Sequence, residues 1–255
     1  AEQPVERVYC ISFAGNTTMT HLALGIDPNA IAASPFIPGT CRGHELPARE
    51  LGLRAGNGAH VYAMPNISAY VGADIVAGIL AHEIHTLDGN HLLVDVGTNG
   101  EIALWSGGRT YACATAAGPA FEGARISRGM RAADGAISEV ARGDDDIHVT
   151  TINDRPARGL CGTGLLDAVA VLLDLGLITD TGRLLSPDEA AACDLPAAIT
   201  ARVVEDDKGQ GFVLAEGHNG LPRIVLRPRD VRELQLAKGA VHAGITVLLD
   251  LVELA

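Results

Sequence analysis

Residues 93–104, Leu-Val-Asp-Val-Gly-Thr-Asn-Gly-Glu-Ile-Ala-Leu, constrain the fold more than any other stretch. An apolar run enters Asp95, reverses through Gly97-Thr98-Asn99-Gly100 and leaves as a second apolar run, so two strands must lie side by side. The reversal also gathers one carboxylate and several unhindered N–H groups around a point where a magnesium-bound phosphate fits. A plain hairpin is the competing reading, because Asn-Gly is the favoured pair of a type I′ turn. Spacing alone leaves both open.

Around this hairpin, strand and helix patterns alternate. Val8–Ala14 reads as a strand broken by Gly15-Asn16-Thr17-Thr18, with a helix over Met19–Leu24. Residues 32–58, rich in Pro and Gly, read as a surface excursion. Val61–Met64 is a strand, and Val71, Ile75 and Ile79 have the spacing of a helix burying one face. Asp88-Gly89-Asn90 marks a boundary between two pieces, residues 1–90 and 91–255. Strands are expected at Leu92–Val96, Glu101–Trp105 and Arg109–Thr115, a short helix at Pro119–Ile126, and a solvated turn at Asp144–Asp146 before a strand over Ile147–Ile152. A helix follows Cys161-Gly162-Thr163-Gly164, with Leu165, Leu166, Val169, Leu172 and Leu173 on one side and Gly176 as its stop. Residues 186–196 read as a polar linker with a helical turn. Phe212–Ala215 and Arg223–Leu226 pair around Glu216-Gly217-His218-Asn219-Gly220, and a last helix begins at Asp230 with Glu233 completing a capping box. Strands followed by helices, twice over, give an α/β protein of two lobes.

Composition narrows the partners. A net charge of −12 argues against nucleic acid, which draws on a surplus of Lys and Arg. No uninterrupted apolar run reaches the roughly 18 residues of a membrane span, and Ala1–Arg7 lacks the basic and greasy pattern of a signal peptide. The cysteines, Cys10, Cys41, Cys113, Cys161 and Cys193, are dispersed and odd in number, which favours a reducing cytoplasm over disulfides or structural zinc.

Three further segments could carry chemistry. Gly118-Pro119 starts a helix, and Glu122, amid small and apolar neighbours, either needs a partner or a ligand or is an ordinary helix carboxylate near a positive N-terminus, with the sequence favouring neither. Gly162, Thr163 and Gly164 open a helix whose free N–H groups could take an anion, although tight helix-to-sheet packing explains the same glycines. His82 and His85 are three apart rather than four, so the bland reading, exposed histidines at a helix end, is favoured over metal. No Gly-x-Ser-x-Gly elbow supports a hydrolase.

Taken in order, Ala14-Gly15-Asn16-Thr17-Thr18-Met19, Val71-Gly72-Ala73-Asp74-Ile75, Asp95 to Ile102, Ala116 to Gly123, Cys161 to Asp167 and Leu236-Ala237-Lys238-Gly239-Ala240 form a series. This series closely resembles the C-terminal domain of the reductive activators of corrinoid proteins, ferredoxin-fused ATPases that re-reduce cobalamin methyl carriers. The resemblance covers nearly the whole chain. It implies two RNase H-like lobes of the actin, heat-shock chaperone and sugar/acetate kinase superfamily around a nucleotide cleft, the first lobe incomplete. It also implies a first phosphate loop and an iron–sulfur domain upstream of these residues and an adenosine motif downstream. The chain is therefore expected to be a fragment, truncated at its C-terminal end and inactive by itself.

The function implied by the resemblance is that of an ATP-binding domain in a protein that reactivates cob(II)alamin in a corrinoid methyltransferase system. Asp95 would handle magnesium, directly or through water, and join Glu122 as the catalytic pair. Gly97, Thr98, Asn99, Gly100, Gly118, Gly162, Thr163 and Gly164 would contact the nucleotide. The expected cofactors are ATP and Mg, with an iron–sulfur cluster only in the upstream domain. The expected partner is a corrinoid protein, with no nucleic acid, no membrane, and a homodimer allowed. A docking module for a corrinoid or methyltransferase partner is the alternative, and a small-molecule kinase is a third reading.

Overall fold

The computed structural model describes residues 4–218 and 220–254. Asn219 and Ala1–Gln3, which the readings of the 216–220 turn and the N-terminus include, lie outside the described residues. The chain folds as two compact units. One holds the chain up to Asp95, Glu101–Thr115 and the end from Ala243; the other holds Val96–Gly100 and Ala116–His242.

In the first unit, β1 (Cys10–Phe13) runs into α1 (Thr17–Ala23). The helix begins two residues before the expected Met19 because the Asn16 side chain caps it, accepting the Met19 N–H at 2.9 Å. A short α2 (Asn29–Ala32) precedes β2 (His44–Pro47), which pairs antiparallel with β3 (His60–Ala63), while β3 is parallel to β1. The expected surface excursion over 32–58 thus contains a strand. β2 is short, polar and ends in Pro47, so it carries no alternation to read. α3 (Ala73–Ala81) buries Ile75 against Val71 and Ala103, with Ile79 and Leu93 alongside. β4 (His91–Val96), β5 (Gly100–Ser106) and β6 (Arg109–Thr115) form a three-stranded sheet in that order, close to the expected bounds.

The second unit is built around one larger core. β7 (Ala136–Arg142) pairs antiparallel with β8 (Ile147–Thr151) and parallel with the two-residue β9 (Gly159–Leu160). α4 (Gly162–Asp174) packs on β7 through Leu165, Ala168, Val169 and Leu172. Leu166 and Leu173, assigned to the same side from sequence, are exposed, because they fall one residue past each buried position on the helix surface. Gly176, at φ 71°, follows the C-cap Leu175 as expected. The 186–196 linker holds α5 (Pro187–Ala191), opened by a capping box between Ser186 and Glu189, and α6 (Ala197–Thr200) follows. β10 (Val203–Asp206), β11 (Gly209–Ala215) and β12 (Ile224–Leu226) form an antiparallel sheet burying Phe212 and Leu214.

α7 (Pro228–Leu251) starts at Pro228 rather than Asp230. Proline suits the first helical position, and Asp230 becomes the third, where its carboxylate reaches back to the Arg227 N–H at 2.8 Å. Glu233 is therefore not the capping partner. By length and composition α7 passes for a membrane-crossing helix; it buries Val231 and Leu234 in the core of the second unit, while Leu236, Val247 and Leu251 are exposed.

Asp146 corrects a smaller expectation. Asp144 and Asp145 are exposed, but Asp146 takes a bidentate bond from Arg202 at 2.6 and 2.7 Å. That guanidinium holds the Asp146 carboxyl below its ordinary 3.8. Stability from the pair is present above the unfolded value and is lost as pH falls through the lower folded value. Asp146→Asn should therefore melt earlier than wild type at neutral pH, and the gap should close in acid below the ordinary carboxylate range; melting curves across pH check this.

Candidate functional site

The reversal between β4 and β5 is not the type I′ turn that Asn-Gly allows. Such a turn needs positive φ at both central residues, and none of Gly97, Asn99 and Gly100 has one. The next reversal, at Gly107 (φ 56°) and Gly108 (φ 77°), does meet that requirement. Residues 97–99 instead form a loop between the strands, closed by the Gly97 N–H donating to the Asn99 carbonyl at 3.1 Å. Its outer edge is pinned elsewhere: the Gly118 N–H donates to the Thr98 carbonyl at 2.9 Å.

This leaves donors without partners. Among the described residues, neither the Thr98 nor the Asn99 N–H is engaged, the Thr98 hydroxyl makes no bond, and both residues are exposed. Adjacent N–H groups in a tight loop form a concavity suited to anion oxygens. Asp95, in β4, is an exposed carboxylate with no ion pair among the described residues. The loop donors are of the kind that suit phosphate oxygens, and a carboxylate like that of Asp95 is of the kind that holds a hydrated divalent cation.

Gly118 (φ 82°) leads into a 3-10 turn over Pro119–Glu122 with proline at its first position, and Gly123 (φ 78°) ends it. The expected helix to Ile126 does not form, because the left-handed Gly123 reverses the chain against the Met130 backbone. Glu122 is exposed, so the expectation that burial obliges it to find a partner is corrected: water solvates it. Ala120 is buried and anchors the turn.

Gly162 seats the start of α4 directly against the Phe121 carbonyl, and Gly164 seats it against the Ile137 carbonyl. A Cβ at either position would overlap backbone, so packing accounts for both glycines. The Thr163 hydroxyl donates to the Ser138 carbonyl at 2.8 Å, which commits its proton to the fold. Cys161 is buried and its thiol donates to the Ile137 carbonyl at 3.2 Å. Through Thr98–Gly118 and Phe121–Gly162 the loop, the 3-10 turn and the helix start form one connected path within the second unit. The histidines stay apart from this path in the chain. α3 stops at Ala81 and Glu83 is left-handed (φ 51°), so His82 and His85 share no helical face, and among the described residues no group of three or more His, Cys, Asp or Glu could hold a metal.

Comparison with known proteins decides the family. Residues 89–255 match the family described as the C-terminal domain of RACo, the ASKHA domain, and residues 1–87 match the RACo middle region. The chain belongs to the RACo family. A solved structure titled "Reductive activator for corrinoid,iron-sulfur protein" is 36% identical with a TM-score of 0.82, over 99% of this chain and 39% of that one. The corrinoid activation enzyme RamQ of Eubacterium limosum is 33% identical over 94% of this chain and 40% of its own length. A relative named "[Co(II) methylated amine-specific corrinoid protein] reductase", from Methanosarcina barkeri, is 32% identical over 54% of this chain and 30% of its own length. This RACo-family chain thus spans two fifths or less of the length of these relatives. The expected actin-like fold is that of the matched ASKHA domain.

Proposed function

We propose that this chain is the nucleotide-handling part of a protein that uses ATP to drive an electron onto the Co(II) of an inactive corrinoid in a methyltransferase partner, yielding Co(I). The observation that carries this reading is the loop at 97–99, whose exposed residues Thr98 and Asn99 have N–H groups unengaged among the described residues while its edge is tied to Gly118. In this reading those donors and the Thr98 hydroxyl hold phosphate oxygens, Gly97 and Gly100 shape the loop that presents them, and Asp95 orients magnesium, directly or through water. Gly118, and Gly162 to Gly164 at the start of α4, support that loop, and Glu122 lies in solvent where it could order a water. ATP supplies the free energy; the electron comes from the iron–sulfur domain that the family resemblance implies upstream.

Magnesium-ATP binding separates this from the alternative of a docking module without nucleotide. A ligand that binds only the folded state stabilises it by about 2.7 kcal/mol at a hundred times its dissociation constant. The full-length protein should melt several degrees higher in saturating Mg-ATP, and the rise should shrink in Asp95→Ala. An unchanged melting temperature in Mg-ATP would favour the docking module.

A further inference from the structure

The second unit carries a cleft of about 650 Å³ that none of the residues above lines as part of the candidate site. Its walls come from the 127–128 loop, the β10–β11 turn, β12 and the start of α7. Arg128, Lys208, Arg223, Arg227 and Arg229 line it against Asp206 and Asp207, a surplus of three positive charges in a chain of net −12. We propose that this cleft is a binding site for a small phosphate-bearing polyanion, separate from the loop at 97–99.

Two of the cations have structural work. Arg227 donates to Asp206 at 2.7 Å and to the Gly209 carbonyl at 2.6 Å, and Arg223 lies 3.7 Å from the same carboxylate. The Arg227 guanidinium holds the Asp206 carboxyl low, so this anion is ionised and already neutralised. Arg128, Lys208 and Arg229 make no ion pair or side-chain hydrogen bond among the described residues. Asp207 stands among these cations and Arg229 lies within electrostatic reach of Asp230, yet the lining keeps its surplus of three positive charges, and their mutual repulsion is a cost that a bound anion relieves. Their backbone frame is rigid. The buried Asp230 carboxylate accepts the Ser127 N–H at 2.6 Å and the Arg227 N–H at 2.8 Å, tying the loop to the helix start. The Arg128 carbonyl in turn accepts the Leu160 N–H at 2.9 Å, fixing that residue at φ 60°. Guanidinium groups carried on a fixed backbone can meet phosphate with paired charge-assisted bonds. The volume is that of a small-molecule site rather than a flat contact face.

The test is calorimetric titration of the full-length protein with inorganic tripolyphosphate in EDTA, which withholds magnesium from the loop at 97–99. Saturable one-to-one binding is expected, weaker at high salt because the cations are exposed. Arg128→Gln with Arg229→Gln should weaken it by at least about tenfold, while Asp95→Ala should leave it unchanged. If the double variant does not fold, Lys208→Gln, on an exposed turn, should still cost about threefold. No binding in the millimolar range, or binding that survives the arginine or lysine substitutions, overturns the proposal. Loss of binding in Thr98→Pro, which removes a loop N–H, with the arginine variants silent, overturns the separate site while leaving the nucleotide reading intact.

Discussion

Gly162→Ala is expected to destabilise the protein by about 3 kcal/mol, enough to lower its melting temperature by roughly 10 °C. The added methyl would overlap the Phe121 carbonyl, carbonyl carbon and Cα, all backbone. No rotamer change relieves that overlap. The 119–122 turn has little room to move, held by buried Ala120 and flanked by the left-handed Gly118 and Gly123. Any displacement that does occur is passed to Gly118, whose N–H holds the Thr98 carbonyl. The variant should therefore lose Mg-ATP stabilisation as well as intrinsic stability. Gly239→Ala is the control with the opposite sign. Gly239 lies inside α7 with no positive φ, and a methyl there would meet nothing within 4 Å, so alanine should stabilise by up to about 1 kcal/mol. Thermal melts of both variants check the pair.

Asp95→Ala should remove ATP-stimulated corrinoid reduction, a fall of about two orders of magnitude or more in rate. The carboxylate is exposed and makes no ion pair among the described residues, so the fold does not depend on it. The melting temperature without nucleotide should stay within about 2 °C of wild type, since surface substitutions away from caps and pairs stay within about 0.5 kcal/mol. Loss of the rate with an unchanged fold assigns the residue to chemistry; an unchanged rate removes Asp95 from the mechanism.

Most of the strand and helix pattern is legible in the sequence because apolar periodicity reports burial. β4 to β6 and α4 stand close to where alternation and the 3.6-residue spacing put them. Contacts distant in sequence set the rest. β2 and β10 are short strands whose pairing partners, not their own composition, make them strands. The central β7 is equally hard to read from sequence. Its parallel partner β9 is two residues long, and Gly135 (φ 79°) enters β7 directly from an irregular loop. At the start of α7, Asp230 has the look of a cap, but Pro228 already opens the helix.

The site is half legible. Asn-Gly suggests a hairpin turn, yet the type I′ geometry belongs to Gly107-Gly108, which has no bulkier residue to resist it. The bond from Gly118 to Thr98 joins residues distant in sequence, and no motif announces it. Gly162 and Gly164 suit either anion binding or packing by sequence, and the backbone they touch favours packing. Arg223, Arg227 and Arg229 stand close together in the sequence, but only the fold brings Arg128 and Lys208, distant in sequence, to the same cleft. The helical turn expected in the 186–196 linker is α5, and the capping-box spacing of Ser186 and Glu189 that opens it is plain in the sequence.

The central claim is that ATP drives the one-electron reduction of a partner's Co(II) corrinoid. The most direct measurement follows the corrinoid's visible absorption in a mixture of full-length protein, corrinoid partner and a chemical reductant too weak to reduce Co(II) unaided. Co(I) should accumulate when Mg-ATP is added and should not accumulate without it. Equal Co(I) with and without Mg-ATP, or none in either case while the Mg-ATP complex is demonstrably formed, would contradict it.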